Sequence, residues 1–299
     1  ATQGRLHLTG AAETVTGCPE QISSSEEQRV REFKRIHQQW PPLLNYPGGL
    51  PAKPPKAWLK LMEKKREDVM RIESISWRWE RWLELAQIHM LVNFTATGWG
   101  LGTMPADVHK EVQKHFRAEY QDGKGGSIET GFRSIIGKPI ILKADSIKPA
   151  VTAALRPLVA NWSGFSHDQI EPTATYGIRV YDRGSVLNTH VDRVETHVLS
   201  AVYMVDCDYD AHRAGSIAEP WKMEYDPDFT GHAGKVEMRP GDIFFYESAK
   251  LPHGRPSPLL GNFSAHMFVH FRPKGWRFTN ADRVYAVPPG WNSGAKKHK

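Results

Sequence analysis

The order of textures along the chain predicts an α+β fold, with helices first and then a C-terminal strand assembly that the helices cover. Two observations carry this. Residues 57–90 set Trp58, Leu61, Met62, Val69, Ile72, Ile75, Trp79 and Trp82 at helical intervals, which reads as one or two long amphipathic helices. After Thr173 the pattern changes to short β-rich runs, "ATYGIRVYDR", "THVLSAVYMVD", "KVEMRPGDIFFYES" and "NFSAHMFVHFRP", divided by Gly, Pro and Asp turns. The chain has 299 residues, 40% of them hydrophobic, enough for a substantial core.

Taken in order, residues 1–22 are polar and patternless. Ser23 or Ser24 then offers a helix N-cap, with Glu26 or Glu27 three places on, ahead of a helical pattern to about Trp40. "WPPLLNYPGGLPAKPP" (40–55) is a connector too rich in Pro and Gly for regular structure. Beyond the 57–90 segment, "PADVHKEVQKHF" (105–116) and "VTAALRPLVANW" (151–162) read as further helices. The polar segment 208–234, punctuated by Gly and Pro, reads as a long insertion between core strands, of the kind that forms lids and binding loops.

Charge and composition narrow the function. A formal charge of +6 with no run of five Lys/Arg argues against nucleic acid, while a basic site for an anion stays open. No stretch approaches the roughly 18 apolar residues of a membrane span, so a soluble protein is expected. Cys18 and Cys207 are the only cysteines, which supports neither a disulfide framework nor a zinc-finger spacing. The chain starts at Ala1, so any targeting segment is expected to lie outside it and the compartment is not legible.

The pair His190 and Asp192, just ahead of the apolar run 198–205, is costly at the mouth of a buried strand unless it is used. Two residues apart in extended chain, both side chains point the same way. Two histidines and one carboxylate on a face make a non-haem iron site with open positions. His253, at the far end of the strand that follows the Pro240-Gly241-Asp242 turn, is the leading second histidine. His197, His266 and His270 compete with it, and a barrel or jelly roll can bring such distant residues together.

The run Tyr181, His190-Val191-Asp192, Pro240-Gly241-Asp242, His253, closing on "GNFSAHMFVHFRP", resembles the Fe(II)/2-oxoglutarate-dependent dioxygenases in their prolyl 4-hydroxylase-like branch, over about residues 95–278. The resemblance implies a double-stranded β-helix (a cupin-like jelly roll) with N-terminal helices packed against it. It divides the chain into an arm, short helix and connector (1–55), a helical support (56–94), a catalytic domain (95–280) and a C-terminal tail (281–299). It implies that His190, Asp192 and His253 ligate Fe(II), and that 2-oxoglutarate and O2 are co-substrates, succinate being released as an unactivated C–H bond is oxidised. Tyr181, nine residues before His190, takes the place of a tyrosine that reaches the far carboxylate of 2-oxoglutarate.

One departure stands out. The family's basic partner for that carboxylate is missing, since Asn262 and Phe263 occupy its position. Arg255 is the favoured replacement, with His197, Ser264 and His266 as others. Arg179, Arg193 and Trp221 are the candidate contacts to a small, carboxylate-bearing, amino-acid-like substrate. The outcome, whether hydroxylation, desaturation or oxidative cyclisation, is open. A peptidyl prolyl-type hydroxylase is the alternative within the class, and a non-catalytic jelly-roll binding module the alternative outside it. Oligomeric state is not legible.

Overall fold

The computed structural model describes residues 53–54, 56–91, 93–120, 125–209, 219–226, 229 and 233–293. The expected helix over 23–40, nearly all of the Pro/Gly connector and the middle of the 208–234 insertion lie outside the described residues. Among those described, the mixed helical and strand composition and the order of elements agree with the α+β expectation.

The 57–90 pattern resolves into three helices rather than one or two: α1 (Lys56–Glu63), α2 (Arg66–Met70) and α3 (Ile75–Met90). The break before α3 has a local cause. Ser74 sits in extended backbone, and its Oγ accepts a hydrogen bond from Trp77 N at 3.4 Å, so it starts a new helix where apolar periodicity alone runs on. Helix α4 (Ala106–Glu119) runs three residues past its expected end and α5 (Lys148–Ser163) begins three before its expected start, and Gly164, in the left-handed region at φ 77°, closes α5.

Thirteen strands follow or intervene: β1 (Trp99–Thr103), β2 (Ser127–Ile128), β3 (Ile135–Ile136), β4 (Ile140–Leu142), β5 (Ile170–Thr175), β6 (Ile178–Asp182), β7 (Val186–His190), β8 (Leu199–Asp208), β9 (Met223–Tyr225), β10 (Gly234–Val236), β11 (Asp242–Tyr246), β12 (His253–Arg255) and β13 (Phe263–Pro273). They form two antiparallel sheets. The larger runs β1-β11-β8-β13-β6-β4-β2, with β5 also on β13, and the smaller runs β10-β9-β12-β7-β3.

Period-2 burial explains how these layers stack. On β8, Leu199, Ala201, Tyr203 and Val205 join a core shared with Leu85 and Ile88 of α3, Val112 and Phe116 of α4, and Leu155 and Val159 of α5. The intervening Val202 and Met204 join a second core with Tyr181, Met223, Tyr225, Phe244 and Tyr246, so the opposite face of the large sheet packs on the small one. A sheet buried on both faces reads as an unbroken apolar run, which is the texture of 198–205. β13 breaks the pattern informatively: Ala265, Met267, Val269 and Phe271 face the helices, while the alternate residues Ser264, His266 and His270 are polar and buried.

One buried cation ties the helical layer to the strand carrying the site. Lys250 Nζ donates to the backbone carbonyls of Ile88 and Leu91 (the latter at 2.6 Å), at the C-terminal end of α3 where a cation is favoured. Lys250→Ala removes a donor from these carbonyls. It is expected to lower stability by roughly 2–3 kcal/mol, as for hydrogen bonds to charged groups, and chemical denaturation measures this.

Candidate functional site

β12 is three residues long and lies between β9 and β7, and His253 stands directly opposite His190 in the antiparallel pair. The register slips immediately afterwards. Arg255 pairs with Leu187, so β7 carries an extra residue across from Gly254. Gly254 permits this because a Cβ there would meet Leu187 O at 2.6 Å and Thr189 Cα at 3.0 Å. The glycine of "HGR" therefore lets the two histidine-bearing strands close on one another.

Beyond the end of β7, Asp192 is held by its backbone: its N–H donates to Ser248 O at 2.9 Å, and its carbonyl accepts from Gln87 Nε2 of α3 at 2.8 Å. Gln87, fully buried, donates also to Ala249 O at 2.6 Å, stitching helix, aspartate loop and the approach to β12 together. His190 Nε2 then lies 3.6 Å from Asp192 Oδ1 and His253 Nε2 3.9 Å from Oδ2. One donor atom from each of the three residues falls within 4.8 Å of the others.

Backbone carbonyls beside the two histidines fix the proton on each Nδ1. His190 Nδ1 bonds Asn188 O and His253 Nδ1 bonds Leu251 O, both at 2.8 Å. A carbonyl only accepts, so each Nδ1 carries a proton and Nε2 is the ring atom left to ligate a metal. Burial opposes protonation of His190, but its hydrogen bond with Asp192 outweighs burial and holds it above its ordinary range, so a metal would displace that proton. Burial pushes His253 down to about 4, keeping it neutral. Burial opposes ionisation of Asp192, but the approach of His190 and the nearby His253 and His270 outweigh it and hold the carboxyl far below its usual range. The result is a carboxylate whose buried Oδ2 has no hydrogen-bond partner, set between the Nε2 atoms of two imidazoles. Three convergent electron-pair donors with one uncompensated negative charge fit a divalent cation.

A cavity of about 640 Å³ opens over these residues and is also lined by Glu129, Phe132, Tyr176, Arg179, Arg193, His197, Tyr246 and His270. The expected co-substrate residues separate into two groups. Tyr181, Arg255 and Ser264 lie fully buried in or beside the inter-sheet core and do not line the open cavity. His197 instead stacks on His270 (ring centroids 3.7 Å apart) and bonds Tyr176 OH at 3.0 Å. Of the expected substrate contacts, Arg193 lines the cavity and pairs with no described acid, whereas Arg179 is already paired with Glu129. Trp221 is buried, donates Nε1 to Ser257 O at 2.7 Å and packs on Tyr181, so it anchors its segment and does not line the cavity. Glu129 and Phe132, on the connection between β2 and β3, had no sequence signal, because those strands are two residues each.

Arg255 is the most unusual of these side chains. It is 1% exposed; Nε donates to Trp221 O at 3.3 Å, and Nη1 has no hydrogen-bond partner. Burial pulls its pKa down, and the groups that offset this are phenols, those of Tyr181, Tyr209 and Tyr246, not carboxylates. His266, also fully buried, shares a 2.8 Å hydrogen bond with Ser264 and leaves its Nδ1 unpartnered.

Sequence comparison with protein-family models and with curated proteins returns no match. Comparison of folds returns matches: the chain is similar in architecture to structures of 2-oxoglutarate/Fe(II) oxygenases, prolyl hydroxylases among them. These include a Pseudomonas putida prolyl-4-hydroxylase (18% identity, TM-score 0.43, covering 60% of this chain and 94% of that one). They also include HygX from Streptomyces hygroscopicus with nickel, 2-oxoglutarate and hygromycin B bound (13%, 0.42, 61% and 85%). A third is a 2OG-Fe(II) oxygenase family oxidoreductase from Burkholderia pseudomallei (12%, 0.42, 66% and 92%).

Gly254→Ala is expected to push β12 off β7, separating His253 from His190. Stability should fall by roughly 1–3 kcal/mol, as for an overpacked site, and divalent-metal affinity should fall with it; thermal melting and metal titration measure the two.

Proposed function

We propose that the protein is an Fe(II)/2-oxoglutarate-dependent oxygenase that oxidises an unactivated C–H bond of a small, carboxylate-bearing substrate. In this reading the two sheets are the walls of a double-stranded β-helix spanning 95–280, with 56–94 as its helical support. The observation that carries it is the convergence of two imidazole Nε2 atoms and a carboxylate with an unpartnered, buried oxygen at the floor of a cavity. His190, Asp192 and His253 would hold the iron. When bound, the metal and 2-oxoglutarate supply the activation of O2.

The chain's own residues do the rest. Leu251 and Asn188 carbonyls keep both imidazoles in the metal-binding tautomer, and Gln87 and Ser248 fix the aspartate. Arg255 is a buried cation with no acidic partner among the described residues, two residues past His253, and a carboxylate is the natural complement to its unused Nη1. We assign it the far carboxylate of 2-oxoglutarate, with Tyr181 and Ser264 beside it and in place of the family's strand-borne basic residue. Leu187, Met223 and Phe268 give the cavity an apolar stretch of wall beside its charged residues.

His190→Ala, Asp192→Ala and His253→Ala should each abolish stoichiometric Fe(II) or Co(II) binding with the circular dichroism of the fold retained. His270→Ala, which leaves the triad intact, should keep it. Calorimetric titration decides, and metal bound equally well by all three triad variants would sink the metal assignment.

Arg255→Met should raise the apparent 2-oxoglutarate dissociation constant at least a hundredfold, the roughly 3–5 kcal/mol expected when a buried charge loses its partner. Without co-substrate the variant should melt no lower than the wild type, since the removed charge was uncompensated. Unchanged 2-oxoglutarate affinity would assign Arg255 elsewhere.

A further inference from the structure

Glu129, immediately after β2, closes on Arg179 of β6. Arg179 Nε donates to Glu129 Oε2 at 2.5 Å and Nη2 to Oε1 at 2.6 Å, a two-point fork, while Nη1 donates to Tyr181 OH at 3.2 Å. Both residues line the cavity that holds His190, Asp192 and His253. Phe132, on the same connection, lies 5.3 Å from the Arg179 guanidinium and edge-on to His190 at 5.6 Å. The ion pair therefore sits in the wall of the reaction cavity, not at a remote surface.

The two partners are unequally committed. The Arg179 side chain is 8% exposed and that of Glu129 21%. Opening the pair without replacing its partners strands a buried guanidinium, which is expensive. A monocarboxylate could take the fork but would leave Glu129 facing a second negative charge. A simple amine could take Glu129 but would leave Arg179 bare. A molecule with both charges, set on neighbouring carbons, exchanges one ion pair for two with no net change of charge.

We infer that the Arg179–Glu129 pair is the closed form of a receptor for a zwitterion, the α-amino and α-carboxylate groups of a free amino acid. Arg179 takes the carboxylate through the fork that Glu129 now fills, and Glu129 takes the ammonium. Leu187, Met223, Phe132 and Phe268 line the same cavity and leave an apolar space for an uncharged side chain. This deepens the oxygenase reading by naming the substrate class, and it rests on that reading only for what happens after binding.

The test is ligand-observed NMR on the full chain, with and without Zn(II) and 2-oxoglutarate. Its probes are a pool of the twenty common L-amino acids, the same pool N-acetylated, and the same pool as primary amides. At least one free amino acid should bind ten or more times tighter than either blocked form. The double variant Arg179→Gln/Glu129→Gln keeps neutral hydrogen-bonding side chains in place. It should lose that preference at an unchanged melting profile, and Glu129→Gln alone, which leaves the Arg179–Tyr181 hydrogen bond in place, should lose it too with the 2-oxoglutarate isotherm unmoved. The inference is overturned if no free amino acid binds, if blocked forms bind equally, or if the double variant retains the preference. It is overturned too if Glu129→Gln alone loses 2-oxoglutarate instead, which would give the pair to the co-substrate. Amino-acid capture by a protein that takes neither metal nor 2-oxoglutarate would keep the receptor and remove the oxygenase.

Discussion

The pairing of β12 with β7 is the constraint on which the site depends. Strands this short have little intrinsic stability; three residues of β12 are held because β9 flanks them on one side and β7 on the other. Directly opposed residues in an antiparallel pair have their Cβ atoms about 5 Å apart, which is the separation at which two imidazoles can share one small ion. The side chain missing at Gly254 makes that approach sterically available, and strand alternation puts Arg255 on the same inward face as His253.

Support for this pairing comes from the opposite side of the molecule. Gln87 and Lys250 carry hydrogen bonds between α3 and the segment that leads into β12, so the helical layer braces the strand ends bearing Asp192 and His253. A site built on strand ends and held from behind by a buried helix loses little entropy when it takes a ligand, because its groups are ordered in advance.

The interior also shows three different solutions to buried charge. Asp192 is ionised against imidazoles, Arg179 is neutralised by an acid from a neighbouring connection, and Arg255 has phenols and an indole but no anion among the described residues. The first and third are incomplete as they stand, and the second is complete. Incomplete charge in a dry interior is what a metal ion and an anionic co-substrate would correct, whereas the complete pair has to be traded, charge for charge. That distinction assigns the three groups to different ligands.

The amino-acid sequence by itself determined the order of helices and strands, the doubly buried run 198–205 and the H-x-D pair, because period-2 and period-3.6 burial and the parity of an extended chain are local properties. It also identified Arg255 as a cation near His253, two residues apart on one strand. It could not decide the partition of helices around Ser74, where a cap overrides apolar periodicity. Strands β1 to β4 were not legible either, being short, partly Gly-rich and formed only against neighbours distant in sequence. That His253 rather than His197, His266 or His270 converges with His190 and Asp192, that Trp221 turns into the core, and that Glu129 reaches Arg179 across 50 positions were decided by tertiary structure. All three depend on which strands lie side by side, and strand register is set by packing across the whole sheet, not by any stretch of chain on its own.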